Sequence, residues 1–511
     1  MDILAFALYF VAMIAIGIYF FFKSKVATEK DYFLGGRQMG PWVTAMSAQA
    51  SDMSAWLLMG LPGSILAFGF GQAWIGIGLA IGTAANWILV AKRLRKFSRA
   101  AGDAITLPQY LSNRFASKSH TVSLICAVVF LVCFTIYVAS AFVAGADVFT
   151  TLVPELGRSS AMLIFAAIVV VYTFLGGFNA VCWTDFFQGL LMLAALLIVP
   201  IVVGFTKNLD PAALSTIYQG PNGEEFEFVP NFFNASWKDI ISGLGWGLGY
   251  FGMPHIIVRF MAIEKPSMVK KSATVAIIWV VLSLAATIVI AYFGRMFVYS
   301  NGTDLSAVLL AEGKQSLIFV ELARDVFPAF IAGLLLAAII AASMSTADSQ
   351  LLVAASSFAS DLYKPIIRKN ASNKEMLWVS RIIVMVIAVV AYFIASSQGK
   401  AAQAIMNLVS NAWGIFGAAF GPAVLFSLFW KRFTYKGAVA GIIVGALVDM
   451  LWLWLPISGG ATLTQITGIY EIIPGFVIGA IAAVIATLLD KAPSQEVVAI
   501  FETATDNSID D

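Results

Sequence analysis

Charge is what this chain has least of. Asp, Glu, Lys and Arg supply 12% of its 511 residues, against about 25% in soluble domains. Hydrophobic residues supply 60%, more apolar surface than a water-soluble protein of this length can cover. Cysteine is nearly absent: Cys126, Cys133 and Cys182 all lie in or beside apolar runs, which excludes an extracellular disulfide framework and any CxxC metal pattern. Two histidines, His120 and His255, cannot build a histidine-rich metal site. No GxxxxGK[ST] loop occurs, so no P-loop ATPase module is attached. The net charge is only +2 and the basic residues are scattered, which gives nucleic acid no stripe to bind.

What the chain does have is apolar runs of bilayer-crossing length, repeated almost end to end. Spans are expected near 3–22, 41–66, 70–91, 121–148, 159–177, 185–205, 239–258, 273–298, 327–347, 377–397, 403–429, 437–456 and 471–489. That makes thirteen, an all-α integral membrane fold with its termini on opposite sides. The basic residues near the start follow the first apolar run, the reverse of a signal peptide. With the N-terminus outside, 24 of the 31 Lys and Arg residues fall in inside segments or at the inner end of a span. The positive-inside rule therefore predicts a multi-pass cell-membrane protein with the C-terminus cytoplasmic. The longest outside loop is 206–238. The tail from 490 to 511 is expected to be a short cytoplasmic helix and then a frayed end.

Three stretches carry chemistry. The first is 41–63, where Asp52 sits mid-span among small and hydroxylated residues. A charge there costs about 2.5–3.5 kcal/mol on insertion scales and persists where it faces an interior or a water-filled cavity. The second is 243–255, with five glycines in ten residues followed by Pro254, expected to unwind near its middle. Gly243/Gly247 and Gly245/Gly249 also fit GxxxG helix packing. Alone, that packing role outweighs binding. Trp246, Tyr250 and Pro254 at four-residue spacing shift the balance, because they offer an aromatic wall with polar edges for a small ring-shaped solute. Two interrupted spans in corresponding positions point to a transporter site at mid-membrane. The third is Ser345–Thr346, adjacent hydroxyls expected at the inner end of the ninth span. An isolated pair of this kind usually bonds its own helix or glues helices together; beside the other features it suits a hard cation. Asp185 and Asp348, also placed at inner ends, are candidate gate or ion residues. Asp147 and Arg295 lie near outer ends, and Asp449 in the twelfth span fits none of these roles.

Several long strings identify the chain as similar to the sodium/solute symporter family over nearly its full length. They are DYFLGGRQMGPWVTAMSAQASDMSAWLLMGLPG (31–63), FTIYVAS (134–140), GGFNAVCWTDFFQ (176–188), GWGLGYFGMPHIIVRFMA (245–262), MSTADSQLLV (344–353) and YEIIPGF (470–476). The resemblance implies two inverted five-helix repeats of the leucine-transporter type, 41–205 and 239–429. A first helix and loop (1–40) would precede them and two peripheral helices (430–489) would follow.

It also implies Na⁺, as the co-transported ion, bound by the carbonyls of Ala50, Met53 and Ala342 and the hydroxyls of Ser345 and Thr346. The solute, L-proline, would meet Ser54, Trp56, Gly60, Tyr137, Trp246, Tyr250 and Pro254. Asp52, Arg37 and Asp185 match positions of gating or ion handling. Where proline-carrying members read Leu-Ser-Cys, this chain reads Ala347-Asp348-Ser349. Asp185, Ser345, Asp348 and Ser349 thus resemble the second cation site of some members. The expected activity is Na⁺-coupled uptake by alternating access, with no enzymatic step and no obligate protein partner. The alternatives are a symporter for another small solute, such as pantothenate, and an ion channel.

Overall fold

In hydrocarbon every backbone N–H and C=O must find a partner within the protein, and a helix does this within one segment. The computed structural model describes residues 1–23, 28–175, 177–219, 225–300, 314–397 and 401–506, and helices dominate it. Ten described helices are long and apolar enough to cross a membrane: Asp2–Phe20, Phe70–Ala100, Thr121–Leu152, Phe178–Thr206, Pro266–Ser300, Ala329–Ile367, Asn373–Ser397, Ile405–Phe429, Tyr435–Trp454 and Ile472–Leu489. Arg158–Phe174 is shorter but apolar. The other two expected spans are interrupted. One is Pro41–Met53 followed by Trp56–Phe68. The other is Trp237–Gly245, a tighter turn over Trp246–Phe251, and Pro254–Ala262.

Around the first interruption, Thr121–Leu152 packs on Ala329–Ser357 and Ala401–Phe429, while Phe178–Thr206 packs on Pro41–Met53 and Val269–Ser300. The last two long helices, Tyr435–Trp454 and Ile472–Leu489, pair with each other and lie against Ala401–Phe429. In the 206–238 loop, strands Ile217–Gln219 and Glu225–Glu227 pair antiparallel with Ile217 opposite Glu227. A four-residue helix, Pro230–Phe233, follows them. The tail forms helix Gln495–Thr505 against Lys92–Ala100, where Phe97 and Phe501 meet edge to face at 5.3 Å.

The glycines of the second interrupted helix do pack. A Cβ on Gly78 would fall 2.3 Å from the Gly243 carbonyl, and one on Gly82 would fall 2.4 Å from the Gly247 Cα. Backbone therefore touches backbone, which is the small-residue contact of membrane helix pairs. Packing and interruption are both properties of this one stretch.

Two boundaries differ from expectation. Ser345 and Thr346 do not close a helix; it continues to Ser357. Asp348, Ser349 and Gln350 are buried by neighbouring helices, so the polar run that reads as an end faces protein instead of water. Arg259, placed by the sequence in an inside loop, lies in helix Pro254–Ala262 and is buried.

Candidate functional site

Helix Pro41–Met53 stops because Ser54 adopts φ 46° and ψ −175°, a conformation that side chains rarely take. The Ser54 Oγ accepts the Trp56 N–H at 3.1 Å, holding the turn. A helix end leaves its last four carbonyls without helical partners, here those of Ala50, Ser51, Asp52 and Met53. The Ser345 Oγ donates to the Ala50 carbonyl at 2.8 Å and lies 3.2 Å from the Ala342 carbonyl. The Thr346 Oγ1 reaches the Ala50 carbonyl at 3.5 Å. Ala50, Ala342, Ser345 and Thr346 thus form one cluster, and Met53 is buried at the end of the same half-helix.

The Asp52 carboxylate has a different partner. Its Oδ2 accepts the Tyr250 hydroxyl at 2.7 Å, and the Tyr137 hydroxyl approaches its carbonyl at 3.5 Å. Pro254 begins the C-terminal half of the second interrupted helix, where its missing N–H costs nothing. Trp56 and Trp246 face each other with ring centroids 5.4 Å apart. Gly60 is covered by Trp56: a Cβ there would lie 2.8 Å from the indole Cδ1. The seven residues that the resemblance assigns to the solute therefore lie at or beside the two helix breaks.

The sequence did not single out several neighbours. Trp413 Nε1 donates to the Trp246 carbonyl at 2.8 Å, and Tyr470 stacks on Trp246 at 5.1 Å. Trp56 Nε1 meets the Met406 sulfur at 3.0 Å. Trp413 and Met406 sit in the eleventh expected span and Tyr470 just before the thirteenth, where YEIIPGF was the one available signal for it. Trp246, Met406 and Tyr470 also line an open vestibule of about 530 Å³.

Asp185 is fully buried, accepts from the Ser47 hydroxyl at 2.7 Å and lies 3.2 Å from the Arg259 guanidinium. The same Arg259 nitrogen donates to the Ser349 hydroxyl at 2.5 Å. Both Asp348 oxygens are buried with no donor. Arg259 and Ser47 thus join the proposed second cation group. Arg259 was hidden by a span boundary drawn one residue too early.

Arg37 lies at the C-terminal end of the second interrupted helix. Its guanidinium donates to the Ser98 hydroxyl at 3.0 Å and to the Ala104 and Met261 carbonyls, and it lies 2.8 Å from Asp103. Arg95 donates to the Ile263 carbonyl at 2.6 Å and the Glu264 carbonyl at 2.8 Å. Partial burial would raise the Asp103 carboxyl, but its partners Lys30 and Arg37 outweigh that and hold it below the usual carboxylate range. Arg37 ties the end of the second interrupted helix to the segment before the first, and Arg95 ties it to helix Lys92–Ala100.

This arrangement can hold a small cation between an interrupted helix and a hydroxyl-bearing one, with a small aromatic-walled space next to it. The sequence pattern of the sodium:solute symporter family matches residues 32–445. The chain belongs to that family. It is a multi-pass membrane protein, and the family's activity is transport of a solute with sodium, not enzymatic conversion.

Similar proteins include the sodium/proline symporter of Escherichia coli (strain K12), 43% identical over 495 residues, covering 96% of this chain and 94% of that one. The high-affinity proline transporter PutP of Bacillus subtilis (strain 168) is 42% identical, covering 95% and 97%. Among solved structures, a Na⁺-coupled sialic acid symporter in a substrate-bound outward-open state aligns with a TM-score of 0.75 at 21% identity, covering 97% and 99%. A nucleobase-cation-symport-1 family transporter in a closed conformation aligns at 0.56 and 17% identity, covering 92% and 97%. These two likenesses concern the fold, which is all-α and of the leucine-transporter type.

Proposed function

We propose that this chain takes up L-proline together with Na⁺ by alternating access. The observation that carries the reading is the joining of Ser345 and Thr346 to the Ala50 carbonyl, next to the Ser54 break. Uncharged oxygens from a helix end and two hydroxyls coordinate Na⁺ without the desolvation loss of a full carboxylate shell. Met53 and Ala342 carbonyls complete the ligand set. Na⁺ orders the interrupted helix, and proline's ammonium and carboxylate then meet freed backbone groups and half-helix ends. Its ring packs against Trp246 and Tyr250, with Ser54, Trp56, Gly60, Tyr137 and Pro254 around it. The proline transported by the relatives from Escherichia coli and Bacillus subtilis supports this choice of solute.

In this reading thirteen helices cross the cell membrane with the N-terminus outside, and 41–205 and 239–429 are the inverted repeats. Asp52 attracts the cation and braces Tyr250, Arg37 closes the cytoplasmic end, and Asp185 with Asp348 and Ser349 serves ion handling. One charge falling through 100 mV supplies about 2.3 kcal/mol, and a tenfold Na⁺ gradient adds about 1.4 kcal/mol. One ion therefore supports accumulation of several hundredfold, roughly. Uptake of labelled proline into proteoliposomes against unlabelled competitors tests the solute. Proline analogues should compete, whereas full displacement by pantothenate and none by proline would overturn the assignment.

A further inference from the structure

Asp449 is fully buried, and both of its carboxylate oxygens lack a hydrogen-bond donor. It stands in Tyr435–Trp454, a helix outside the proposed Na⁺ and proline positions. Glu471, also buried, caps the start of Ile472–Leu489 and borders the open vestibule. Gly414 separates the two: a Cβ built there would lie 3.0 Å from Asp449 Oδ2 and 3.5 Å from Glu471 Cγ. The helix of Gly414, Ala401–Phe429, has no charged residue to offer either carboxylate.

The titratable groups facing the pair from packed elements are Cys133, Tyr470 and, further off, Tyr137. At the vestibule, Asp239 shares the lining and the Lys238 side chain lies against Gly468. Among the described residues, no Lys or Arg side chain reaches Asp449 or Glu471 within 4.0 Å. Only Thr464 helps, donating to Glu471 Oε2 at 3.2 Å.

Two carboxylates in such a place need a cation between them, since burying unpaired charge is far more costly than neutralising it. A metal cation needs a shell of oxygens. Asp449 instead meets glycine: a Cβ on Gly475 would lie 3.0 Å from Asp449 Cβ and 2.7 Å from the Ala418 Cβ. A proton needs no such shell. We propose that Asp449 and Glu471 form a proton-binding site that exchanges with solvent through the vestibule. One carboxylate accepts H⁺ to become a carboxylic acid, and no other bond changes. Because Glu471 adjoins Tyr470, which stacks on Trp246, proton occupancy also alters the wall of the vestibule.

The test is infrared difference spectroscopy of the purified full-length protein in lipid across a pH series, without proline. The wild type should show a titrating carboxylic-acid C=O band that Asp449→Asn lacks. Glu471→Gln should move the titration of the remaining band by about one pH unit. This second variant decides the matter if the first fails to fold. A titration identical in wild type and both variants would overturn the proposal. So would a band abolished by Na⁺ at fixed pH, which would make the site a sodium site. Neither readout requires transport, so failure here leaves the Na⁺/proline reading standing.

Discussion

The Tyr250 hydroxyl donates to the Asp52 carboxylate at 2.7 Å, and this bond joins the two interrupted helices at the height of their breaks. Two residues before Asp52, the Ala50 carbonyl accepts the Ser345 hydroxyl. Hydrogen bonds to charged groups contribute about 1.5–3 kcal/mol. Tyr250→Phe is expected to lower proline affinity roughly tenfold or more, measured by equilibrium binding at saturating Na⁺. Unchanged affinity would separate Tyr250 from the solute.

Ser345→Ala and Thr346→Ala each remove one oxygen from the cation cluster. The Na⁺ concentration for half-maximal uptake should rise about tenfold, for a loss near 1.4 kcal/mol. Proline affinity at saturating Na⁺ should change less than about threefold. A Na⁺ requirement that stays the same would remove these hydroxyls from the ion site.

Arg259 bridges Asp185 and Ser349, all three buried. Removing one partner of a buried pair costs about 3–5 kcal/mol because it strands the other charge. Arg259→Gln should lower the unfolding midpoint in detergent, and adding Asp185→Asn should recover part of the loss. A double variant no better than the single one would contradict this pairing.

These contacts show how far the sequence could be read. The stretches 41–63 and 243–255 pointed to both breaks, because glycine, proline and an intramembrane carboxylate are unfavourable in an ordinary span. Arg259 and the continuation of the Ser345 helix were not legible. A polar residue near a span end reads alike whether it meets water or other helices, and only packing distinguishes the two. Trp413 and Met406 escaped for a related reason: an aromatic or thioether in an apolar run carries no periodic mark of a site.

The Arg37–Asp103 contact gives a pH expectation. Asp103 is held below the usual carboxylate range, so its folded form binds protons less readily than the unfolded chain. Its contribution is present above the unfolded value of about 4 and is lost as pH falls through the lower folded value. The tie at this end of the second interrupted helix should therefore not vary between pH 5 and 8 through this group. Asp103→Asn should loosen it at neutral pH, read as faster labelling of a cysteine introduced beside Arg37. Equal labelling in both proteins would show that the ion pair does not hold this end.

The central claim is coupling of solute to sodium. Proline uptake into vesicles bearing this protein, under an imposed inward Na⁺ gradient and a negative interior, measures it most directly. The account predicts transient accumulation that collapses when K⁺ replaces Na⁺ at equal ionic strength and potential. Equal accumulation with K⁺ would contradict it.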